Sequence, residues 1–211
     1  MKPSERKLYD YLEEYAQKRG EERFLADEES SYTVSETFGI VKSLAEQLEN
    51  AGVKSGDFVS VKADRTVKTI LVFYALEIMG AVAVMHDPRE RMTHDIRTED
   101  GILNAYGRET TLSFEAREVK KLKVSEDGKA AGAVIFTSGS TGERKAVVLS
   151  QYNFINNSLD TLEIGGYRED DINILIVPLH HVFGLALVVT AVVAKHSICL
   201  LYTSPSPRDG L

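Results

Sequence analysis

Several features are scarce in this chain of 211 residues, and each scarcity excludes some structural or functional classes of protein. The single cysteine, Cys199, excludes an intramolecular disulfide. No block of lysine and arginine stands out, and the formal net charge of −7 argues against a nucleic-acid partner. The longest apolar run, 182–194, is shorter than the roughly 20 residues of a membrane span, so it predicts a buried helix. The N-terminus lacks the apolar core of a signal peptide, and we expect a cytoplasmic protein.

The apolar residues that are present follow the rhythm of strands alternating with helices. Their fraction, 43%, suits a globular protein with a core. A strand at 58–63, a helix at 69–80 and a strand at 81–85 predict parallel pairing with a crossover helix. We therefore expect an α/β fold with a layered, mostly parallel sheet. A further helix is expected at 93–106, in a weakly patterned segment.

A polar loop, TSGSTGERK at 137–145, lies between two apolar strands. Its glycines allow conformations in which successive backbone N–H groups point at one centre. Its hydroxyl groups and its lysine add donors that suit phosphate oxygens. We therefore predict a phosphate site, and its candidate ligands are Thr137, Ser138, Gly139, Ser140, Thr141, Gly142 and Lys145.

Composition alone leaves another interpretation of this loop open, a Ser/Gly hairpin loop without a ligand. Two other phosphate-binding motifs are excluded. The Walker pattern GxxxxGK[ST] fails because Arg144 stands five residues after Gly139 and neither Ser nor Thr follows Lys145. The dinucleotide fingerprint GxGxxG is absent from the chain.

The extended stretch TSGSTGERKAV resembles the signature TSGSTGxPKG(V/A) of the adenylate-forming superfamily. That superfamily includes acyl-CoA ligases, adenylation domains of peptide synthetases, and luciferases. The match is unbroken from Thr137 to Gly142, and Lys145 is in register. Arg144 replaces the usual proline and Ala146 the usual glycine. By the resemblance, the loop would wrap the β- and γ-phosphates of ATP.

A second stretch, PLHHVFG at 178–184, resembles the PLxHxxG segment that borders the acyl pocket in the same superfamily. By the resemblance, His181 is the catalytic-site histidine near the acyl carboxylate and the α-phosphate, where it gates or orients. Phe183 and Gly184 would shape the substrate pocket. A histidine considered alone has many structural roles, but its register with the loop favours the functional interpretation. The resemblance extends from residue 8 to about residue 198.

The resemblance implies an ATP-dependent acyl-CoA synthetase, of which this chain would be an N-terminal fragment. The complete enzyme would activate a carboxylic acid, fatty or aryl, as an acyl-adenylate and transfer it to CoA. Mg²⁺ is also implied, but its ligand segment is missing here and no metal ligand is assigned. We expect the fragment alone to be inactive, because catalysis needs all groups placed together. Two alternatives stay open: an adenylation domain that loads a carrier protein, and a naturally short, non-catalytic nucleotide-binding module.

The end of the chain departs from the α/β pattern. The segment CLLYTSPSPRD, at 199–209, resembles one reading frame of a transposase-type sequencing adapter. We therefore predict a partial adenylation domain over 1–198 and a non-native read-through tail over 199–211. A natural disordered tail is the alternative.

Overall fold

The computed structural model describes residues 6–89, 96–105, 108–116, 131–137 and 145–201. The helices are α1 (Leu8–Arg19), α2 (Val34–Asn50), α3 (Val67–Met79), α4 (Gln151–Gly165) and α5 (Val182–Ala194). The strands are β1 (Arg23–Ala26), β2 (Ser31–Thr33), β3 (Phe58–Lys62), β4 (Val82–His86), β5 (Ile96–Ala105), β6 (Arg108–Ala116), β7 (Ala131–Phe136), β8 (Ala146–Ser150), β9 (Ile172–Leu175) and β10 (Ser197–Leu200).

These strands form two mixed sheets. One has the order β2-β1-β10-β9, in which β1, β10 and β9 are parallel and β2 is antiparallel to β1. The other has the order β5-β6-β3-β4-β7-β8, with the parallel strands β3, β4 and β7 at its centre. Antiparallel strands flank that centre on both sides. The expected α/β fold with parallel strands and crossover helices is confirmed.

Side chains from the helices and from both sheets share one hydrophobic core. Helix α3, the crossover between β3 and β4, is buried along almost its whole length, from Val67 to Glu77. The Tyr74 hydroxyl donates a hydrogen bond to the Val188 carbonyl at 2.8 Å and so ties α3 to α5. Helix α5 is the buried helix expected at 182–194. Most of its residues from Gly184 to Val193 are buried, which explains the long hydrophobic run.

Local signals in the sequence set several helix ends. Thr33 accepts a hydrogen bond from the Glu36 N–H at 3.2 Å, and Glu36 accepts one from the Thr33 N–H at 2.8 Å. This capping box starts α2 as its sequence indicates. Gly80 ends α3 in the left-handed conformation, with φ of 77°. Glycine adopts that conformation without a Cβ penalty, so β4 can begin two residues later.

The helix expected at 93–106 is wrong. The structure has strand β5 over Ile96–Ala105, paired in antiparallel register with β6 from Ile96↔Ala116 to Ala105↔Arg108. Gly101 is a poor helix former, and the strand carries a register shift beside it. Pairing with a neighbouring strand therefore outweighs a weak helical pattern in this segment.

Strand β10 runs across the boundary expected at residue 198. Cys199 pairs with Ile174 of β9 and with Ala26 of β1, and Leu200 pairs with Leu175. The first two residues of the expected tail therefore lie in a sheet in this structure. Residues 202–211 fall outside the described residues, and the origin of the tail stays a prediction.

Candidate functional site

The two ends of the phosphate-loop motif are joined at the base of the β7–β8 hairpin. The Thr137 N–H donates to the Lys145 carbonyl at 3.0 Å, and the Lys145 N–H donates to the Thr137 hydroxyl oxygen at 3.3 Å. Both residues are exposed. The other candidate phosphate ligands, Ser138, Gly139, Ser140, Thr141 and Gly142, lie outside the described residues, so their role stays a prediction.

This hairpin base lies at the carboxyl end of β7. In open α/β sheets, ligands bind outside the carboxyl ends of parallel strands. Strand β4 runs parallel to β7, so its last residue, His86, is at the same edge. The rings of His86 and Phe136 are in contact, with centroids 5.1 Å apart. The end of β7, which leads into the loop, is thus packed against the end of β4.

The histidine motif follows β9 in the other sheet and leads into α5. His181 is the N-cap residue of α5, and its N–H donates to the Pro178 carbonyl at 3.2 Å. Its carbonyl accepts from the Leu185 N–H at 3.3 Å. The His181 ring makes no capping hydrogen bond and is exposed. The backbone of His181 is therefore fixed, while its ring faces outward.

Phe183 and Gly184 occupy different environments in the first turn of α5. Phe183 is 59% exposed, so its ring is available to an apolar ligand. Gly184 is buried, and a Cβ there would collide with the Pro178 carbonyl oxygen. Glycine at this position lets α5 approach the turn that carries both histidines. The expected pocket role of the two residues stays a prediction.

Asp87 connects the histidine motif to the sheet that carries the loop. It follows β4 directly, and its carboxylate Oδ2 lies 3.6 Å from Nε2 of His180. Arg89 donates to this carboxylate from its backbone N–H, its Nε and its Nη2, at 3.0, 3.0 and 2.7 Å. These hydrogen bonds hold the pKa of Asp87 well below its usual range. The carboxylate is therefore ionised at neutral pH.

Sequence reasoning missed a second connection of the same kind. Arg65 follows β3, and its Nη1 donates to the Ile176 carbonyl at 2.5 Å, just beyond β9. Asp87 and Arg65 share a signal that could have identified them. Each is a charged residue close after a buried strand, at the edge where parallel strands end.

Two negative findings apply to the part of the chain that the structure describes. No helix there is long and apolar enough to cross a membrane. No group of three or more His, Cys, Asp or Glu side chains there could hold a metal ion. We therefore assign no Mg²⁺ ligand among the described residues.

The candidate site has two described parts that meet at the end of β4, the base of the β7–β8 hairpin and the histidine segment before α5. The family of AMP-binding enzymes matches this chain over residues 12–95 and 90–210. The chain belongs to the AMP-binding enzyme family. This membership confirms the resemblance to adenylate-forming enzymes that the two motifs indicated.

A curated relative agrees with this membership. A 2-succinylbenzoate–CoA ligase of Bacillus cereus is 28% identical over 192 residues, covering 82% of this chain and 39% of the relative. The chain thus spans about two fifths of that relative's length.

Two solved structures share the fold. The N-terminal domain of FACL13 from Mycobacterium tuberculosis superposes with a TM-score of 0.74 at 15% identity, over 96% of this chain and 59% of that one. O-succinylbenzoate Coenzyme A synthetase (MenE) from Bacillus subtilis, in complex with AMP, has a TM-score of 0.69 at 20% identity. That alignment covers 90% of this chain and 55% of the MenE chain.

Proposed function

We propose that the chain is the N-terminal portion of an ATP-dependent acid–CoA ligase. One observation carries the proposal: the base of the loop and the histidine segment border the same strand end. Phe136 contacts His86, and the next residue, Asp87, pairs with His180. A phosphate-binding loop beside an exposed histidine suits a reaction between a carboxylate and the phosphate chain of ATP.

The chemistry has two steps. A carboxylate oxygen of the acid attacks the α-phosphorus, the bond from that phosphorus to the bridging oxygen breaks, and pyrophosphate leaves. The CoA thiol then attacks the acyl carbon and AMP leaves. In this chain, residues 137–142 and Lys145 would hold the β- and γ-phosphates and stabilise the departing pyrophosphate through charge and hydrogen bonds. His181 would orient the carboxylate for attack.

The acid is proposed to be fatty or aryl. Val182 and Phe183, beside His181, are exposed apolar side chains that suit an apolar acid. Relatives of the chain are named 2-succinylbenzoate–CoA ligases, so 2-succinylbenzoate belongs in the first set of acids to be assayed.

The first experiment is to resequence the genomic locus past the codon for Ile198 and to express the complete open reading frame. The assay measures AMP and pyrophosphate formation with ATP, CoA and a panel of fatty and aryl acids. We expect acid-dependent AMP formation and an acyl-CoA product. Lys145→Ala should raise the KM for ATP, because the variant loses a positive charge at the loop base. Lys54→Ala, which removes an exposed lysine in the turn before β3, is the matched control.

Each outcome separates the alternatives. Acyl-adenylate formation without transfer to CoA would favour an adenylation domain that loads a carrier protein. An open reading frame that ends at the present C-terminus, with nucleotide binding and without turnover, would favour a non-catalytic module. Acid-dependent pyrophosphate exchange by the 211-residue chain alone would contradict its expected inactivity.

A further inference from the structure

The two adjacent histidines before α5 have opposite environments. The His180 side chain is 13% exposed and lies with Nε2 3.6 Å from the Asp87 carboxylate. The His181 ring is exposed at the start of α5. The two ring centroids are 4.4 Å apart, with the planes inclined at 42°. His180 is thus held inward, and it supports the ring that faces outward.

The partner of His180 is itself fixed in place. The Asp87 side chain is 7% exposed, and three hydrogen bonds from Arg89 hold its carboxylate. An ionised carboxylate beside an imidazole favours the protonated, positively charged form of that imidazole. The contact is therefore an ion pair between the end of β4 and the segment before α5 whenever the His180 ring is protonated.

The same segment is held a second time by the neighbouring strand. Arg65, beyond β3, binds the carbonyl of Ile176. Strands β3 and β4 are adjacent and parallel, so the two ties come from one edge of the six-stranded sheet. Both contacts hold the segment between β9 and α5, and β9 is a strand of the other sheet.

We propose that Asp87 is a positioning residue, which acts through His180 to present the His181 ring to the acid-binding site. This inference rests on the proposed function for its catalytic meaning, while the Asp87–His180 anchor can be tested without it. Loss of the carboxylate charge would release His180, and the His180 ring would no longer fix the direction of the His181 ring that it contacts. A small displacement of an orienting group is costly to a reaction that depends on alignment.

The choice of variants depends on the charged and titratable groups around the Asp87–His180 contact. His86 and Asp87 come from the end of β4, Arg89 follows them, and His180 and His181 come from the segment before α5. Asp87→Asn keeps the shape and removes the charge, whereas Asp87→Glu retains the charge. Asp170→Asn is the matched control, because Asp170 is an exposed aspartate paired with Arg168.

The anchor is tested by nitrogen NMR of the imidazole rings in the 211-residue chain across a pH titration. We expect His180 to stay protonated to higher pH in the wild type than in Asp87→Asn, and Asp87→Glu to restore part of the difference. Asp170→Asn should leave the His180 titration unchanged. An identical His180 titration in wild type and Asp87→Asn would overturn the anchor.

The positioning role is tested by kinetics of the complete enzyme. In Asp87→Asn we expect kcat/KM for the acid to fall on the order of tenfold, as expected when a charged contact that aligns a reacting group is lost. The KM for ATP should change far less, and Asp87→Glu should recover part of the loss. An equal loss for acid and ATP, or no loss beyond Asp170→Asn, would refute the positioning role. A wild-type enzyme without acid-dependent AMP formation would instead refute the proposed function.

Discussion

Glu77 is a buried carboxyl group whose replacement by glutamine should change how stability depends on pH. It lies in the last turn of α3 and is 3% exposed. Its Oε1 has no hydrogen-bond partner among the described residues. The two carboxyl oxygens are 3.0 and 3.1 Å from the point that a Cβ on Gly132 would occupy, so the group packs closely against β7. Gln151 Nε2 donates to the backbone carbonyl of Glu77 at 2.7 Å.

Burial raises the pKa of Glu77 well above 4.5, its ordinary value. The folded chain therefore keeps a proton that the unfolded chain releases as the pH rises past that ordinary value. The stabilising contribution of this proton is fully present below the unfolded pKa. It is lost progressively until the pH reaches the folded pKa. Over that window the free energy of unfolding falls by up to about 1.4 kcal/mol per pH unit.

In the variant Glu77→Gln, the side chain at position 77 is neutral at every pH, so its contribution to stability does not change with pH. The stability difference between variant and wild type should therefore grow in favour of the variant, by up to about 1.4 kcal/mol per pH unit. The amide NH₂ of glutamine enters the same buried space, and an unpaired donor there costs about 1–3 kcal/mol. That cost is independent of pH. The test is therefore the slope, against pH, of the difference in free energy of unfolding between variant and wild type.

The measurement is urea unfolding of wild type and Glu77→Gln between about pH 5 and pH 8, followed by far-ultraviolet circular dichroism. Glu46→Gln, an exposed position on α2, is the control for loss of a carboxylate. If the stabilities of Glu77→Gln and wild type stay parallel across the range, Glu77 is ionised in the folded chain and the reasoning fails.

Three further predictions use other contacts. Gly184→Ala should lower the free energy of unfolding by about 1–3 kcal/mol, because its Cβ meets the Pro178 carbonyl, and an unchanged melting temperature would contradict this. Tyr74→Phe should cost about 1 kcal/mol in urea unfolding, because the buried bond to the Val188 carbonyl is lost, and equal midpoints would count against it. Ile174→Lys should reduce self-association of the chain in light scattering, because β9 lies at the edge of its sheet among the described residues and has exposed isoleucines. Equal association of both proteins would show that this edge is not involved.

Elements with strong local signals could be predicted from the sequence. The capping box of Thr33 and Glu36 starts α2, and Ser150 caps α4 in the same way. The apolar run at 182–194 is α5. In each case the residues that define the element are within a few positions of one another, so a local pattern contains the information.

The segment at 93–106 shows where local patterns fail. Its strand exists because Ile96–Ala105 pairs with Arg108–Ala116, and neither stretch determines that pairing alone. The sequence contains a weak helical spacing there, but hydrogen bonds to a neighbouring strand satisfy the backbone instead. A prediction from spacing could not weigh that alternative.

Parts of the candidate site could likewise be predicted from the sequence, and one contact could not. The loop at 137–145 and the histidines before α5 could be located because each is a contiguous motif. The contact between Asp87 and His180 could not be predicted in this way. It forms only because the fold brings the end of β4, in one sheet, next to the segment that follows β9 of the other sheet. A carboxylate after a buried strand is common, and its meaning depends on what the fold brings opposite it. Asp87 follows β4 of one sheet, but its carboxylate contacts a histidine that follows β9 of the other. Replacing Asp87 should therefore disturb the position of the histidine segment more than the structure of β4.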